Sequence, residues 1–403
     1  MTTKTSTRRV ARTPTTVHAR AAEVIEEQRG RIADNLGSAV DGRDPEGVHD
    51  MRVASRRLRA ALQVFAPWLD AHEIGRIAPD VRSVTRALGP VRELDVMRLA
   101  LAAWTRRAVP LRALAIEAVD SRLASRRRRG RARMMKRFAK VDLEALDERL
   151  RRLVAELRKT STAESAAGDG SAQDGDAPRG AEMVDLMRAV ARDAITTGHG
   201  IANADVPSEL GSAHAREALH EVRIEAKKLR YVLEIIAPDL GAAGKKLVQR
   251  LRRLQDRLGT FHDDVVLDAA VADVAVRADA KQQSRLAAEL NRLRSSRRRA
   301  LLADERACRR EIDLLRTEGF AGAIAEALIG ADAIAREDVP DLPARDETLG
   351  VSQGDAAGSA SHVASLRDSE IAATNASHDA TKAAAEDGAR PDSDATEGSD
   401  ERA

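Results

Sequence analysis

Cysteine, aromatic residues and long apolar runs are all scarce in this chain of 403 residues. Cys308 is the single cysteine, which excludes a disulfide-rich scaffold and a zinc site built from cysteine thiolates. Aromatic side chains make up 2% of the residues, which disfavours a sheet protein and a single-stranded nucleic-acid site built on stacking. No apolar run approaches the roughly 18 residues of a membrane span, and the basic N-terminus lacks the apolar segment of a secretory signal. We therefore expect a cytoplasmic protein with no membrane partner.

The abundant residues favour helix. Ala, Leu, Arg and Glu dominate the sequence, and all four have high helix propensity. The composition therefore predicts an all-α protein.

Charge is nearly balanced overall but unevenly distributed. Lys and Arg number 67 against 64 Asp and Glu, a net charge of +3. Residues 337–403 hold 16 acidic and five basic residues, a net charge of −11, which leaves +14 on residues 1–336. The composition predicts a disordered basic N-terminus at 1–16, a flexible linker at 160–180 and a disordered acidic tail at 331–403. Two basic helical blocks remain, 17–159 and 181–330.

The two blocks resemble each other. VHDMRVASRRLRAALQVFAP at 48–67 aligns with LHEVRIEAKKLRYVLEIIAP at 219–238, an offset of 171 residues. A second match pairs LGPVRELDV at 88–96 with LGTFHDDVV at 258–266. We interpret the pair of matches as an internal duplication.

Hydrophobic periodicity places several helices in each block. In the first block the predicted helices cover roughly 17–40, 46–66, 72–108, 110–138 and 142–158. Pro67 and Pro238 end the same helix in the two copies, because proline cannot continue a helix. Short connections and amphipathic faces favour antiparallel bundles.

One face of the repeated helix carries only cations. At 100° per residue, His49, Arg52, Arg56 and Arg59 fall within an arc of about 80°, opposite the apolar residues. His220, Arg223, Lys227 and Arg230 repeat the row in the second copy. A solvated basic face is the simplest alternative, but like charges three or four residues apart repel each other unless something neutralises them. The repeated row therefore indicates anion binding.

The spacing of the cations favours a phosphate chain. Successive residues of the row lie about 5 Å apart along the helix axis, so a linear anion can pass from one guanidinium to the next. Duplex DNA, which basic side chains contact through phosphates, is the alternative partner. Arg122, Arg126, Arg129 and Arg133 form a further row, and Arg285, Arg292 and Arg299 occupy a comparable place in the second block. The run 126–129 is equally compatible with a solvated patch.

The motifs HxxRVxxRRLRAAL and HxxRIxxKKLRYVL, each followed by LGxx(R/H)(E/D)xxV, resemble the two halves of a CHAD domain, the conserved histidine α-helical domain. The resemblance covers about 17–330. It implies two pseudo-symmetric four-helix bundles around a basic cavity, binding of inorganic polyphosphate, and association with bacterial polyphosphate granules. The polyphosphate-binding residues that it implies are His49, Arg52, Arg56, Arg57, Arg59, Arg82, Arg86, His220, Arg223, Lys227, Lys228, Arg230, Tyr231, Arg252 and Arg253.

We expect no enzymatic activity, cofactor or metal. Some CHAD proteins carry an N-terminal triphosphate-tunnel domain marked by ExExK, and that motif is absent here. His262-Asp263-Asp264 suggests the metal-dependent HD phosphohydrolases, but the equivalent Arg92-Glu93 cannot ligate a metal through arginine. The alternative role for Asp263 and Glu93 is to support neighbouring arginines or to cap helices. The sequence does not indicate an oligomeric state.

Overall fold

Helices account for nearly all of the described chain. The structure, a computed structural model, describes residues 16–105, 113–168 and 181–329, and these ranges contain no strand. The α-helices of these ranges are α1 (Val17–Asp41), α2 (Pro45–Val64), α3 (Ala71–Thr105), α4 (Ala113–Phe138), α5 (Leu143–Gly168), α6 (Ala181–Ala202), α7 (Ala213–Ile236), α8 (Gly241–Ala280), α9 (Ser284–Thr317) and α10 (Phe320–Ile329). The predicted all-α class is confirmed.

The predicted helices of the first block match α1 to α5, with one difference. Helix α5 continues to Gly168, so residues 160–168 are helical although we predicted a linker from Thr160. Residues 160–168 continue the helix that begins at Leu143. The rest of the linker, most of the N-terminal segment and the acidic tail lie outside the described residues. Residues 106–112, which include the predicted end of the third helix and start of the fourth, also lie outside them.

A tight connection sets the direction of α2. Gly42 has φ 68° and donates its N–H to the carbonyl of Ser38, which ends α1. The Asp44 side chain then accepts from the N–H of Glu46, and Pro45 occupies the first turn of α2. Helices α1 and α2 consequently run antiparallel, and α2 presents its apolar side to α1.

The buried apolar side chains form two clusters. The larger contains residues of α1, α2 and α5 together with residues of α6, α7 and α10. The smaller joins the ends of α3 and α4 to the facing parts of α8 and α9. In the smaller cluster the Trp104 indole N–H donates to Asp264 over 3.4 Å, and the Arg297 guanidinium lies 4.7 Å from the centre of the Trp104 ring. Each cluster therefore draws on both halves of the chain.

The second half of the described chain contributes five helices, α6 to α10, as the first half contributes α1 to α5. The two repeated motifs lie in α2 and α7, the second helix of each half. The internal duplication and the pseudo-symmetry remain predictions from the sequence. Within the described ranges, no helix combines the length and the apolar character that crossing a bilayer requires.

Candidate anion-binding site

The apolar side of α2 fixes the direction of its cations. Val48, Met51, Leu58 and Ala61 are fully buried in the larger core cluster. Because a helix buries one face, the His49 row on the opposite face is turned away from that core. Helix α7 repeats the arrangement, with Leu219, Leu229 and Leu233 buried. Both rows, apart from Arg230, line a single cavity.

The cavity has a volume of about 1100 Å³ and lies between α2, α3, α7 and α8. Its lining contains eight lysine and arginine side chains and three imidazoles against two carboxylates. The cations are Arg52, Arg56, Arg59, Arg86, Arg92, Arg223, Lys227 and Lys228, the imidazoles His49, His220 and His262, and the carboxylates Glu93 and Asp263.

Few of these cations are neutralised by acids. Among the described residues, Arg92 lies 3.7 Å from Glu46 and Lys228 lies 2.7 Å from Glu225, while the other six lining cations form no ion pair. The Nε of Arg223 is buried and has no hydrogen-bond partner in the part of the chain that the structure describes. A buried charged donor without an acceptor is costly, so the fold holds Arg223 in the cavity wall at the expense of stability.

The crowding of cations alters their acidity. Burial, and then Arg223 and Arg56, lower the pKa of Lys227 to about 7. Burial and the neighbouring Arg56 lower the pKa of Arg52 to about 10. Burial, together with nearby positive charge, also lowers the pKa of Arg59, Arg223 and His49. The cavity therefore disfavours the protonated, charged forms of these side chains, and a bound anion would favour them.

Arg52 is held in place by the backbone of α3. Its Nη1 donates to the carbonyl of Thr85 over 2.9 Å. A Cβ added at Gly89 would lie 2.9 Å from the same nitrogen, so glycine provides the room in which the guanidinium passes close to α3. This contact brings Arg52 and the α3 cations to one wall of the cavity.

Two imidazoles meet at the α7–α8 side. The Nδ1 atoms of His220 and His262 lie 3.3 Å apart, and the rings stack with centroids separated by 4.9 Å. Burial and Arg223 lower the pKa of His262 to about 3, and burial and Arg223 also lower the pKa of His220. Because both pKa values are lowered, the pair is largely uncharged at neutral pH, and the 3.3 Å contact allows one Nδ1–H to donate to the other Nδ1.

Tyr231 lies between two arginines. The guanidiniums of Arg56 on α2 and Arg230 on α7 each lie 5.2 Å from the centre of its ring. These cation–π contacts hold Arg56 at the cavity wall without neutralising it.

Ten of the predicted binding residues line the cavity and five do not. The ten are His49, Arg52, Arg56, Arg59, Arg86, His220, Arg223, Lys227, Lys228 and Tyr231. The five outside the lining are Arg57, Arg82, Arg230, Arg252 and Arg253.

Glu234 explains the position of three of these five. Its carboxylate accepts from Arg57 over 3.0 Å, from Arg252 over 3.0 Å and from Arg230 over 3.3 Å. This one acid on α7 therefore ties α2 and α8 to α7 and holds the three guanidiniums. Arg253 extends instead toward Glu311, at 3.8 Å.

The predicted set omits two basic lining residues, Arg92 and His262. They occupy equivalent positions in LGPVRELDV and LGTFHDDVV, and each lies on the cavity wall. The sequence contains a signal for both residues, because a basic side chain recurs at this position of the two aligned segments.

The HD-like segment does not form a cluster of metal ligands in the described chain. Asp264 is buried and accepts from Trp104 and, over 2.9 Å, from Arg297. Burial raises the pKa of Asp263, although Arg223 and Lys227 act in the opposite direction. Among the described residues, three potential ligands approach one another only at Glu46, His49 and Asp50, where both acids are exposed. We assign no metal to this exposed group.

Comparisons with known proteins agree with this architecture. The family model described as CHAD domain matches residues 23–272. A crystal structure of the CHAD domain from the plant Ricinus communis superposes with a TM-score of 0.52 at 20% identity, covering 74% of this chain and 91% of that one. PptA from Streptomyces chartreusis gives a TM-score of 0.50 at 18% identity, covering 74% and 98%. At these identities the two structures show the fold alone.

Two curated relatives come from Mycobacterium tuberculosis. The Uncharacterized proteins MT2285 and Rv2226 are each 27% identical to this chain over 241 residues. The match covers 58% of this chain and 41% of each relative, so the chain spans less than half the length of these relatives.

Proposed function

Because the chain belongs to the CHAD domain family, we propose that it binds inorganic polyphosphate in the cavity between α2, α3, α7 and α8. The family is associated with polyphosphate binding in general. The observation that carries the proposal is the lining itself, in which eight cations face two carboxylates. Arginine suits this ligand because its planar fork forms bidentate contacts with phosphate oxygens.

The dimensions of the site favour a chain over a compact anion. Cations from α2 and α3 on one side and from α7 on the other are spread over a cavity of about 1100 Å³. A single small phosphate would leave most of them unpaired, whereas a linear chain brings a charged group to each in turn. A duplex nucleic acid is a stiff rod with its phosphates on the outside, so we expect it to contact the rim of the cavity and not the cations inside it.

Binding without hydrolysis is part of the same proposal. Polyphosphate cleavage usually requires divalent metal held by clustered carboxylates. Asp264 is engaged by Trp104 and Arg297, and Asp263 lies in the field of Arg223 and Lys227, which repels a divalent cation. Incubation of the protein with long-chain polyphosphate and Mg²⁺ or Mn²⁺ should leave the chain-length distribution unchanged on a gel.

A pair of matched double variants tests the binding site. Arg56 and Arg59 line the cavity, whereas Arg252 and Arg253 were predicted from the same resemblance but lie outside the lining. We expect Arg56→Gln with Arg59→Gln to weaken polyphosphate binding at least about tenfold, since each charge-assisted hydrogen bond contributes about 1.5–3 kcal/mol. Arg252→Gln with Arg253→Gln removes the same charge and should change the affinity less than about threefold.

Titration calorimetry at physiological salt, with duplex DNA as competitor, is the measurement. Equal losses in the two double variants would show that net charge alone sets the affinity and would refute the cavity as the site. Displacement of polyphosphate by DNA at equal phosphate concentration would favour a basic nucleic-acid-associated protein instead.

Association with polyphosphate granules in the cytoplasm follows from the proposed binding. A fluorescent fusion of the full chain should co-localise with granules in a polyphosphate-accumulating bacterium. The Arg56→Gln, Arg59→Gln fusion should be diffuse, and its persistence on granules would contradict recruitment through the cavity.

A further inference from the structure

Helix α4 has an exposed basic face outside the cavity. Arg126, Arg129, Arg133, Lys136 and Arg137 are all exposed and fall within an arc of about 100° around the helix. They extend over about 16 Å of the axis. No residue of α4 lines the cavity, so this face, which we call the α4 basic face, is a separate surface.

The fold uses Arg127 and Arg131 of α4 in structural contacts, whereas these five have no such role within the described ranges. Arg127 contacts Asp95 and the carbonyl of Gly42, and Arg131 donates to the carbonyls of Ala39 and Asp41 at the end of α1. Those two arginines satisfy the last carbonyls of α1. None of the five on the α4 basic face forms an ion pair with any residue that the structure describes, and Arg129 only donates to Ser125.

The α4 basic face also differs from an ordinary solvated helix surface. From Ser121 to Lys140 the sequence contains no acidic residue. Cations three or four residues apart therefore repel each other along the helix with no acid to offset them. Helix α9, the fourth helix of the second half in chain order, contains five acidic residues between Ser284 and Thr317, and its acid-free stretch is limited to Leu290–Ala303. The acid-free stretch of α4 is therefore the longer of the two.

We propose that the α4 basic face is a second docking surface for polyphosphate, which engages the part of a long chain that extends beyond the cavity. The proposal rests on the proposed function of the cavity. A single row of cations on a convex helix suits a narrow, flexible anion that follows the row. Between Ser121 and Lys140 every exposed residue is Ser, Ala, Arg or Lys, so this surface has no large apolar side chain that would insert into a membrane and no aromatic side chain that would stack on bases.

Two sites on one molecule make affinity depend on chain length. A chain held in the cavity presents its remaining phosphates to the α4 basic face at high effective concentration, which raises overall affinity by about 10²–10⁴ where the geometry allows both contacts. Tripolyphosphate is too short to leave the cavity and gains nothing. The α4 basic face would therefore extend the preference for long chains beyond the chain length that the cavity itself accommodates.

The test compares two triple variants of equal charge. Arg126→Gln, Arg129→Gln and Arg133→Gln remove three cations from the α4 basic face, and glutamine keeps the helix propensity. The control is Arg298→Gln, Arg306→Gln and Arg310→Gln on α9, three exposed arginines that form no ion pair with described residues. Circular dichroism and the melting temperature check that both variants fold. Long chains of roughly 100 phosphates, held in excess over protein so that each chain carries one molecule, and tripolyphosphate are the two probes.

We expect the α4 variant to bind the long chain at least about tenfold more weakly than wild type and to bind tripolyphosphate within about twofold of wild type. The control should bind both probes within about threefold of wild type. Arg126→Lys, Arg129→Lys and Arg133→Lys, which keeps the charge, should retain most of the long-chain affinity.

Equal long-chain affinity in the α4 variant and the α9 control would overturn the inference while leaving the cavity intact. Loss of duplex DNA binding in the α4 variant, with long-chain polyphosphate binding unchanged, would overturn it in favour of a nucleic-acid surface. A wild-type protein that binds neither probe would refute the proposed function and this inference together.

Discussion

His220 on α7 and His262 on α8 stack with their Nδ1 atoms 3.3 Å apart, beside Arg223. In this geometry only one of the two Nδ1 atoms can carry a proton, because two Nδ1–H groups would place donors against each other. Burial and Arg223 lower the pKa of both rings, so the pair contributes little positive charge at neutral pH and can gain charge at Nε2 when an anion binds nearby.

Polyphosphate should raise the pKa of the histidine pair. In the free protein the pKa of His262 is about 3, and a polyanion favours the charged imidazole. Two-dimensional NMR of labelled histidines should show His262 neutral at pH 5 without ligand and a higher pKa with ligand. An unchanged titration in saturating polyphosphate would place the bound chain away from α8.

His262 should also make the free protein sensitive to acid. Its folded pKa lies below the ordinary value of 6.5, so the unfolded chain takes up the proton first and stability falls as the pH drops below 6.5. We expect His262→Gln to lose less stability than wild type between pH 6.5 and 4 in thermal unfolding. The exposed His72→Gln serves as control and should follow the wild-type curve. A parallel loss in both variants would mean that His262 is charged in the folded state.

The helices of the first half were predictable because each signal is local. The period of apolar residues and Pro45 at the start of α2 placed that helix, and the same period placed His49, Arg52, Arg56 and Arg59 on one face. The end of α5 was not predictable in this way, because its final Ser, Thr and Ala residues have no strong apolar pattern.

The division of the predicted cations between cavity and outer surface depends on tertiary contacts. Arg230 shares the helical face of Arg223 and Lys227, yet Glu234, one turn further on, draws it away together with Arg57. Whether an arginine points into the cavity or toward Glu234 depends on where α2 and α7 meet, and helical periodicity does not specify that. The same holds for α3 and α8, whose positions bring Arg92 and His262 to the wall.

Lys227 should couple anion binding to proton uptake. Its pKa of about 7 in the free protein rises on contact with phosphate, so above pH 7 binding must first protonate the amine. The affinity of wild type should consequently fall between pH 7 and 9, by up to about tenfold per pH unit. Calorimetry in buffers of different ionisation enthalpy measures the protons taken up directly.

Two variants separate this effect from the titration of other groups. Lys227→Gln should bind more weakly at pH 7 and lose most of the pH dependence. Lys228→Gln removes an exposed amine that pairs with Glu225 and should keep the wild-type dependence. If Lys227→Gln retains the full pH dependence, another group takes up the proton.

Glu234 should be required for stability and dispensable for binding. Its carboxylate is 14% exposed and holds arginines from α2, α7 and α8, so Glu234→Gln leaves three guanidiniums without a counter-charge. Removing one partner of a largely buried ion pair is destabilising, and we expect a loss of about 2 kcal/mol in urea unfolding. Glu225→Gln breaks the exposed pair with Lys228 and should cost no more than about 0.5 kcal/mol.

Because Arg57, Arg230 and Arg252 lie outside the cavity lining, tripolyphosphate affinity should stay within about twofold of wild type in Glu234→Gln. A large gain in affinity would show that the released guanidiniums reach the ligand, and the boundary between the binding cations and the structural cations would then have to be redrawn.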